Sequence, residues 1–542
     1  GGTSQVWLLP LEGGEPRAVT SLSTGASDPV WSPTGAHVAF TSKVYPDAAD
    51  DAANRGRAEE IEKSGLKVRR IDRLLYRHWD EWQEGKRPHV FVVEVATGKT
   101  RDVNLGDDAD TPVFSLGGPD GYAFSPDGKE IAFTRGPSRE EAWSTNADLW
   151  VAPVDGSAPP RNLTAANPAW DGSAAYSPDG KWIAYRFQQR SGFESDRFRL
   201  GLVDRSTGTM TSLGSDVDQP LDELEWAPDS RAIYANTEDE GHRALWAIPL
   251  GGGPSRRILS ERSAWETRIS AQGGFFTARI ASFTKPNEVW RFGLDGSDPR
   301  PLTRHAGDWI ARKDLGTVES VRVPGALGAS IQAWLVKPPR YDPSRRHPLL
   351  LLVHGGPQNA WLDSFSARWN PQVFAARGYV VLMPNPHGST GFGQAFTDQI
   401  SRDWGGACYE DCMKAVDWAI EQGIADPDRL CAAGASFGGY MANWINGHTD
   451  RFKAIVTHAG LYNLPAKYTT TEELWFPEWD VGGTPWDNPE GYAKWSPHTY
   501  AKNMRTPTLI THGDLDFRVP VSEGMGLFTA LQRQGVPSRL VL

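Results

Sequence analysis

The feature that most constrains this fold is a short phrase that recurs through the first half of the chain. It reads WSPTGAHVAF at 31–40, FSPDGKEIAF at 124–133 and YSPDGKWIAY at 176–185, with a weaker copy at 226–235. Proline sets φ at the second position of a turn and glycine accepts a positive φ, so Ser-Pro-Asp-Gly is a tight-turn sequence. An aromatic residue precedes each turn and an alternating apolar strand follows it, which predicts a β-hairpin at every copy.

A second apolar phrase alternates with the first and sets the size of the repeat. One unit then holds about four short strands over roughly 45–50 residues, which is a period typical of propeller blades. We therefore predict an N-terminal all-β propeller over residues 1–315, with about six to eight blades and an incomplete first blade. The copies of the second phrase begin at Val6, Val90, Leu149, Leu200, Leu245 and Val289.

An insertion at 44–88 interrupts this repeat. It is rich first in charged residues and then in aromatic residues, and its aromatic part reads LYRHWDEW at 75–82. Two interpretations stay open for this segment. It is either a helical excursion that covers the edge of a blade or a segment that reaches a neighbouring active site.

The charge and the cysteine content argue against several classes of function. The net charge of −11 at pH 7 makes nucleic acid and anionic membranes poor candidates for the main partner. The 3 cysteines do not suffice for a disulfide framework, and we interpret Cys408 and Cys412 as buried small residues. No apolar run approaches the roughly 18 residues of a membrane-spanning helix, so we expect no membrane insertion.

From about residue 316 the pattern changes from repeated hairpins to an alternation of strands and helices. Residues 347–354 form a continuous apolar run, as in a strand that is buried on both faces. Helical patterns alternate with further apolar runs, such as those at 379–383 and 430–433. This alternation indicates a mostly parallel sheet covered by helices.

The strongest single motif is GASFGG at 434–439, in which Ser436 stands between glycines. An apolar strand precedes the motif and a helical pattern follows it, which is the context of a nucleophile elbow. The small neighbours allow the strand and the helix to approach closely, and the serine is exposed at the carboxyl edge of the sheet. We predict that Ser436 is the nucleophile and that residues 316–542 form an α/β-hydrolase domain that is truncated at its C-terminus.

A serine nucleophile needs two hydrogen-bond donors for the oxyanion that forms in the reaction. One donor should be the backbone N–H of Phe437, because it follows the nucleophile directly. The sequence HGGP at 354–357 comes after an earlier apolar strand, where this fold supplies its second donor. We predict that the backbone N–H of Gly356 is that donor.

The acid of the site is predicted in HGDLD at 512–516, after another apolar strand. We interpret Asp516 as the acid and keep Asp514 as the alternative. Chain order in this fold is nucleophile, acid, histidine, and no histidine follows Asp516 in the sequence. We therefore expect the catalytic histidine beyond Leu542. The histidines near the predicted catalytic edge, whose positions do not match this order, are His354, His458 and His512.

These motifs resemble those of the prolyl oligopeptidase family of serine peptidases, and the resemblance covers essentially the whole chain. It implies a propeller followed by an α/β-hydrolase domain, with Ser436 as nucleophile, Asp516 as acid and a histidine further along the chain. It implies no cofactor and no metal. The most specific pieces are HGGP at 354–357, NPHGSTGFG at 385–393, WGG at 404–406, GASFGGY at 434–440 and HGDLD at 512–516.

Three stretches are similar to a branch of this family that releases dipeptides from the N-termini of peptides: 40–47, 75–82 and 473–480. This similarity implies peptide substrates in which Ala or a hydrophobic residue is favoured at the second position. Such an enzyme must hold a free ammonium group, and a desolvated ammonium needs a carboxylate partner.

Several residues are candidates for binding this substrate. Glu194 is the first candidate for the ammonium anchor, and the alternatives are Glu81, Asp80 and Glu478. The other interpretation of each carboxylate is a solvated or structural role. An apolar pocket for the second substrate side chain is predicted from four aromatic residues, whose other interpretation is ordinary core: Tyr462, Trp475, Phe476 and Trp479.

Two other functions stay open at the level of the sequence. The first is an acylaminoacyl peptidase or an oligopeptidase of the same architecture, which needs no carboxylate for a free amine. The second is a propeller binding protein with an inactive hydrolase domain. The resemblance also suggests a periplasmic or secreted location, and a homodimer is left open.

Overall fold

A computed structural model describes residues 3–113 and 121–542 of the chain. The chain divides into two compact units, and the predicted boundary at residue 315, which stays a prediction, falls inside the second of them. The first unit comprises Gly1–Ser215, Leu224–Ile233 and Ile248–Pro254. The second unit comprises Asp216–Glu223, Tyr234–Ala247 and Ser255–Leu542.

Short antiparallel strands dominate the described residues up to position 301. They are β1 (Trp7–Leu8), β2 (Arg17–Ala18), β3 (Ser27–Trp31), β4 (His37–Val44), β5 (Arg77–His78), β6 (Glu81–Trp82), β7 (Arg87–Glu94), β8 (Thr100–Asp102), β9 (Tyr122–Phe124), β10 (Glu130–Arg135), β11 (Asp148–Pro153), β12 (Arg161–Asn162), β13 (Asp171–Tyr176), β14 (Trp182–Phe187), β15 (Arg199–Asp204), β16 (Met210–Leu213), β17 (Asp222–Trp226), β18 (Ala232–Asp239), β19 (His242–Pro249), β20 (Arg256–Leu259), β21 (Ser263–Ile269), β22 (Phe275–Ser282), β23 (Lys285–Gly293) and β24 (Arg300–Pro301).

These strands form five four-stranded sheets within the described residues: β3-β4-β7-β8, β9-β10-β11-β12, β13-β14-β15-β16, β17-β18-β19-β20 and β21-β22-β23-β24. Two further pairs, β1-β2 and β5-β6, stand apart from them. In each four-stranded sheet the strands follow one another in chain order, apart from the inserted β5-β6 pair. A four-stranded antiparallel meander is the sheet from which propeller blades are built.

The predicted hairpins at the repeated phrase are confirmed. In the second copy, Phe124 pairs with Ile131 across the turn, and Gly128 has a φ of 69°. The Ser125 hydroxyl donates to Asp127 Oδ1 at 2.6 Å and accepts from the amide of Glu130 at 3.0 Å, so the turn residues are locked to one another. The short polar side chains of the phrase therefore stabilise the turn itself.

The insertion at 44–88 contains both a helix and a hairpin. Helix α1 (Asp51–Ser64) begins at Asp50, whose carboxylate accepts from the amide of Ala53, and ends at Gly65 with a φ of 62°. The β5-β6 hairpin follows it. The segment is therefore partly helical, and both interpretations of its role, covering a blade edge or reaching an active site, stay predictions.

The rest of the second unit is built on one eight-stranded sheet in the order β25-β26-β28-β27-β29-β30-β31-β32. Its strands are β25 (Val318–Pro324), β26 (Ser330–Val336), β27 (His347–Val353), β28 (Val380–Pro384), β29 (Ala425–Ala435), β30 (Ala454–His458), β31 (Thr508–Thr511) and β32 (Ser538–Val541). The pairs that join β25 to β26 and β26 to β28 are antiparallel, and the others are parallel.

The first helix after β24 precedes this sheet, and the other helices lie between its strands. They are α2 (Gly307–Ile310), α3 (Pro371–Ala375), α4 (Gln394–Asp398), α5 (Ala407–Glu421), α6 (Phe437–His448), α7 (Leu464–Thr470), α8 (Trp475–Pro477), α9 (Pro489–Trp495) and α10 (Ser522–Arg533). Short 3₁₀ turns span Ala326–Gly328 and Pro497–Asn503, and a π-helical turn spans Glu478–Gly482.

Strand β27 shows that both faces of this sheet are buried. Leu349 and Leu351 pack into one core cluster together with helix α5 residues, whereas Leu350 and Leu352 pack into another on the opposite face. Successive side chains of a strand point to opposite faces, so a continuous apolar run is what a doubly covered strand requires. The predicted mostly parallel sheet covered by helices is confirmed, and Cys408 and Cys412 are buried free thiols on α5.

Candidate active site

Ser436 occupies the strained turn between β29 and α6. Its φ of 56° and ψ of −120° lie in a region that side-chain-bearing residues rarely adopt. A Cβ on Gly434 would lie 2.3 Å from the carbonyl oxygen of Gly438, and a Cβ on Gly438 would lie 2.1 Å from that of Val353. Only glycine fits these two positions, as the nucleophile-elbow interpretation requires.

Hydrogen bonds hold the backbone of this turn on both sides. The Ser436 amide donates to the His458 carbonyl at 2.9 Å, and the Ser436 carbonyl accepts from the Tyr440 amide at 2.8 Å. Phe437 is the first residue of α6, where a helix leaves its N–H groups without internal partners. The Phe437 amide therefore belongs to the electropositive end of a 12-residue helix, which favours a nearby oxyanion.

The HGGP loop lies against the nucleophile. A Cβ on Gly355 would be 3.5 Å from Ser436 Cβ, so the loop backbone passes directly beside the serine. Gly356 has a φ of 121° and is exposed. The structure thus brings together Ser436, Phe437 and the loop that carries Gly356, and the role of both amides as oxyanion donors stays a prediction.

Asp516 is the better placed of the two predicted acids. Its Oδ1 accepts from the amides of Arg518 at 3.1 Å and Val519 at 2.9 Å, which fixes the carboxylate and leaves Oδ2 available. Asp514 is exposed. A carboxylate that orients a histidine must itself be held in place, so the geometry favours Asp516 over Asp514.

His354 and His512 are engaged away from the nucleophile. His354 is buried, and burial lowers its pKa to about 4, so its ring is neutral. Its Nδ1 donates to the Gly355 carbonyl at 2.7 Å, which helps to hold the HGGP loop. His512 Nε2 donates to the Val519 carbonyl at 2.7 Å and lies 3.8 Å from Asp516 Oδ2.

His458 is also bonded elsewhere. Arg368 donates to its Nε2 at 3.1 Å, so its Nδ1 carries the proton and donates to Thr511 Oγ1 at 2.8 Å. Burial and the charge of Arg368 lower its pKa. Within residues 3–113 and 121–542, none of these three imidazoles hydrogen-bonds to the Ser436 hydroxyl.

The predicted pocket aromatics occupy different environments. Phe476 is half-buried, and its ring centroid lies 5.7 Å from that of Trp404, which in turn lies 5.3 Å from that of Phe437. Trp475 and Tyr462 are buried, and Tyr462 packs in a core cluster beneath α10. The structure places Phe476 next to the residues that support the nucleophile turn, and a binding role for all three stays a prediction.

The predicted ammonium anchors lie in both units. In the first unit, Glu194 accepts through its backbone carbonyl from Gln188 Nε2 at 2.8 Å, and Glu81 pairs with Lys43 at 2.5 Å. In the second unit, Glu478 accepts from the Tyr468 hydroxyl at 2.8 Å, and burial raises the pKa of Glu478. Their assignment as anchors stays a prediction.

Two charged residues near the site escaped the sequence analysis. Asp480 is almost fully buried, with 1% exposure, and binds Gln358 of the HGGPQ segment and the indole of Trp404. Arg518, two residues after Asp516, pairs with Glu472 at 2.7 Å. The partners come from distant parts of the chain, so no local sequence pattern indicates these contacts.

Neither a metal-binding cluster nor a membrane-spanning helix is present among the described residues. Among the described residues, no group of three or more His, Cys, Asp or Glu side chains has a geometry suited to a metal ion. None of the helices in residues 3–113 and 121–542 combines the length and the apolar content that crossing a membrane requires.

The largely parallel eight-stranded sheet, with a serine in a strained strand-to-helix turn, defines an α/β-hydrolase. The model of the prolyl oligopeptidase family matches residues 364–542. The dipeptidyl-peptidase 5 of Porphyromonas gingivalis is 34% identical over 512 residues, which cover 93% of this chain and 72% of that protein. The chain therefore belongs to the prolyl oligopeptidase family of serine peptidases.

A fungal relative and a solved structure extend these similarities. The dipeptidyl-peptidase 5 of Aspergillus oryzae is 35% identical over 540 residues, covering 89% of this chain and 71% of that protein. Pyrococcus horikoshii acylaminoacyl peptidase matches with a TM-score of 0.81 at 19% identity, over 99% of this chain and 80% of that one. This likeness shows a shared fold and supports the predicted propeller followed by an α/β-hydrolase domain, whereas the number of blades stays a prediction.

Proposed function

We propose that this protein is a serine dipeptidyl peptidase that releases dipeptides from the free N-termini of peptides. The observation that carries the hydrolytic part is the turn at Ser436, where φ is 56° and the HGGP loop passes beside the side chain. The dipeptide specificity is supported by relatives named dipeptidyl-peptidase 5, which match most of the chain.

In the proposed reaction, Ser436 Oγ attacks the carbonyl carbon of the second peptide bond. The developing oxyanion would accept hydrogen bonds from the amides of Phe437 and Gly356. A histidine that follows Asp516 in chain order takes the serine proton and returns it to the leaving amine, while Asp516 orients its ring. Water then releases the dipeptide from the acyl-enzyme.

The substrate is proposed to be a peptide with Ala or a hydrophobic residue at its second position. Phe476 is the best placed of the predicted pocket residues because it is half-buried and its ring lies beside that of Trp404, which contacts Phe437. Glu194 and Glu81 remain the proposed anchors for the substrate ammonium. We further propose a propeller of about six to eight blades and a periplasmic or secreted location.

The test compares an Xaa-Ala chromogenic amide with its N-acetylated form, using the full-length natural protein. Cleavage of the free amine alone supports the proposal, because an acylaminoacyl peptidase or an oligopeptidase does not require the ammonium. The Ser436→Ala variant should lose at least about 10³-fold in kcat while keeping its melting temperature within a few degrees. Activity that survives this substitution would remove Ser436 from the mechanism.

The alternative of an acylaminoacyl peptidase is compatible with the fold match to Pyrococcus horikoshii acylaminoacyl peptidase, which at 19% identity fits it no better than the proposed function. Equal or faster cleavage of the acetylated substrate would point to an acylaminoacyl peptidase or an oligopeptidase and discard the ammonium anchor. Absence of cleavage of both substrates, together with no labelling of Ser436 by a fluorophosphonate, would instead support a binding protein with an inactive hydrolase domain.

A further inference from the structure

Asp480 lies at the end of a segment that leads from α7 past the predicted pocket aromatics. The carboxylate is almost completely buried, with 1% exposure. A buried carboxylate is stable only when donors surround it, because desolvation strongly disfavours an unpaired charge. Asp480 therefore restrains the position of each group that donates a hydrogen bond to it. These donors show which parts of the site Asp480 holds in place.

The first donor belongs to the HGGPQ segment. Gln358 Nε2 lies 3.1 Å from both Oδ1 and Oδ2 of Asp480. Gln358 comes two residues after Gly356, whose amide is the predicted second oxyanion donor. Asp480 therefore ties down the segment that must present the Gly356 amide to the substrate.

The second donor supports the other half of the predicted oxyanion hole. Trp404 Nε1 donates to Asp480 Oδ2 at 3.1 Å. The Trp404 ring packs edge-on against that of Phe437, with centroids 5.3 Å apart and an interplanar angle of 87°. The residue whose backbone N–H is the predicted first donor is thus braced by an indole that Asp480 anchors.

Two further hydrogen bonds fix Asp480 itself. Its backbone carbonyl accepts from the Arg402 amide at 2.7 Å, and its Oδ1 accepts from Ser401 Oγ at 3.4 Å. The carboxylate is therefore a fixed point, and the Gln358 side chain, which is only half-buried, is the partner that it restrains.

We propose that Asp480 is a positioning residue for the oxyanion hole, because one carboxylate braces the supports of both predicted donors, Gly356 and Phe437. This inference rests on the proposed function. Asp480 does not touch the reacting atoms. It acts by holding the two amides at the spacing that the tetrahedral intermediate requires, and misplacement of such donors lowers transition-state binding more than substrate binding.

The main experiment measures kcat and KM of Gln358→Ala and Asp480→Asn in the full-length natural protein with a free-amine Xaa-Ala amide. We expect kcat to fall by about 10- to 100-fold in both variants, with KM changed less than about threefold. Gln358→Ala keeps the test decisive if Asp480→Asn folds poorly. Asp428→Asn, an exposed residue away from this cluster, is the matched control and should leave both constants unchanged.

A second readout separates positioning from a merely structural role. A dipeptide boronate, which places an oxygen in the oxyanion hole, should lose affinity by the same factor as kcat/KM. The dipeptide product, which forms no tetrahedral adduct, should bind as in the wild type. A structural defect would weaken both ligands alike.

Exchanging the donor and the acceptor between positions 358 and 480 tests whether the lost activity can be restored. Asp480→Asn combined with Gln358→Glu reverses the donor and the acceptor, while the amide oxygen introduced at position 480 can still accept from Trp404. We expect this double variant to recover at least about tenfold in kcat over Asp480→Asn alone. If the wild type is active but Gln358→Ala retains full kcat, or if the swap brings no recovery, the inference is overturned. An inactive wild type would overturn the proposed function together with it.

Discussion

Two clusters of buried carboxylates, one in each compact unit, have different numbers of cations, and the cluster in the second unit has more. Beside the predicted catalytic acid, Arg518 pairs with Glu472 at 2.7 Å and with Glu473 at 2.8 Å. Glu473 also pairs with Lys467 at 3.0 Å. Two cations thus serve two carboxylates, and their ion pairs hold the backbone just after Asp516.

The buried cluster in the first unit has fewer cations than carboxylates. Asp110 and Glu141 share the guanidinium of Arg87, at 3.3 and 2.7 Å. Among the described residues, Asp110 Oδ2 and Glu141 Oε2 have no hydrogen-bond partner, and the contact of Glu141 Oε1 is the ion pair with Arg87. Burial raises the pKa of both groups, and that of Glu141 reaches about 7.

This difference in the number of cations distinguishes two roles of buried carboxylates. Where each carboxylate has its own cation, the charges form a fixed scaffold, as expected beside residues that must be held in position. Where two carboxylates share one cation, one negative charge is left uncompensated, and the pair therefore tends to bind a proton. The fold therefore places a rigid charge network beside the predicted catalytic acid and a titrating one among the N-terminal sheets.

The largest expected effect comes from removing a cation from the carboxylate cluster of the second unit, so that this cluster also has fewer cations than carboxylates. Arg518→Met leaves Glu472 buried without its guanidinium, and we expect the free energy of unfolding to fall by about 3–5 kcal/mol. Because the carboxylate that loses the Arg518 guanidinium can take up a proton, the loss should be larger at pH 8 than at pH 5.5. Urea unfolding at the two pH values measures it.

Arg518→Lys is the control for this prediction, because lysine keeps the charge but loses the fork that reaches two carboxylates. It should be destabilised by less than Arg518→Met at both pH values. An Arg518→Met protein as stable as the wild type would show that these ion pairs do not hold the acid loop.

Glu141→Gln removes the titrating group of the first unit and should have a smaller effect. With a pKa of about 7 in the folded protein and a lower one when unfolded, Glu141 binds more protons in the native state, so it lowers stability as pH rises from about 5 to 7. We expect the free energy of unfolding of the variant, taken relative to that of the wild type, to be about 1–2 kcal/mol higher at pH 8 than at pH 5.

Melting temperatures of both proteins across pH 5–8 measure this difference. The groups that act on the Glu141 charge are Arg87 and Arg73, which lower its pKa, and Asp110, which raises it. Asp110→Asn should therefore reduce the pH dependence as well. Parallel stability curves for the wild type and Glu141→Gln would contradict the shared-proton interpretation.

The smallest effect is expected for an exposed pair. Glu81 and Lys43 have side chains that are 61% and 51% exposed, so Glu81→Gln should change the free energy of unfolding by less than about 1 kcal/mol. Activity on free-amine substrates provides the sharper measurement. A loss in kcat/KM of more than tenfold in Glu81→Gln, but not in Glu194→Gln, would select Glu81 as the ammonium anchor, and the reverse would select Glu194.

The local parts of this structure could be predicted from the sequence. The Ser-Pro-Asp-Gly turns and the elbow at Ser436 depend on residues close together in the chain, so their patterns are visible. The run at 347–354 likewise indicated a strand buried on both faces, and β27 has this property. Each of these predictions rests on backbone preferences or on side-chain periodicity.

The network around the site could not be predicted in this way. Asp480 and Gln358 are 122 residues apart, and nothing in either neighbourhood indicates the other. Trp475 shows the same difficulty in another form, because an apolar residue destined for the core and one destined for a substrate pocket look alike in sequence. Tertiary packing brings Asp480 and Gln358 together, and a binding role for Trp475 stays a prediction.

The conformation of Ser436 has a consequence for how this chain tolerates mutation. A φ of 56° with a ψ of −120° suits glycine better than any residue with a Cβ. Selection for folding alone should therefore enrich Ser436→Gly over both the wild type and Ser436→Ala, although glycine carries no nucleophile. At position 436, stability thus favours glycine, whereas the proposed activity requires serine.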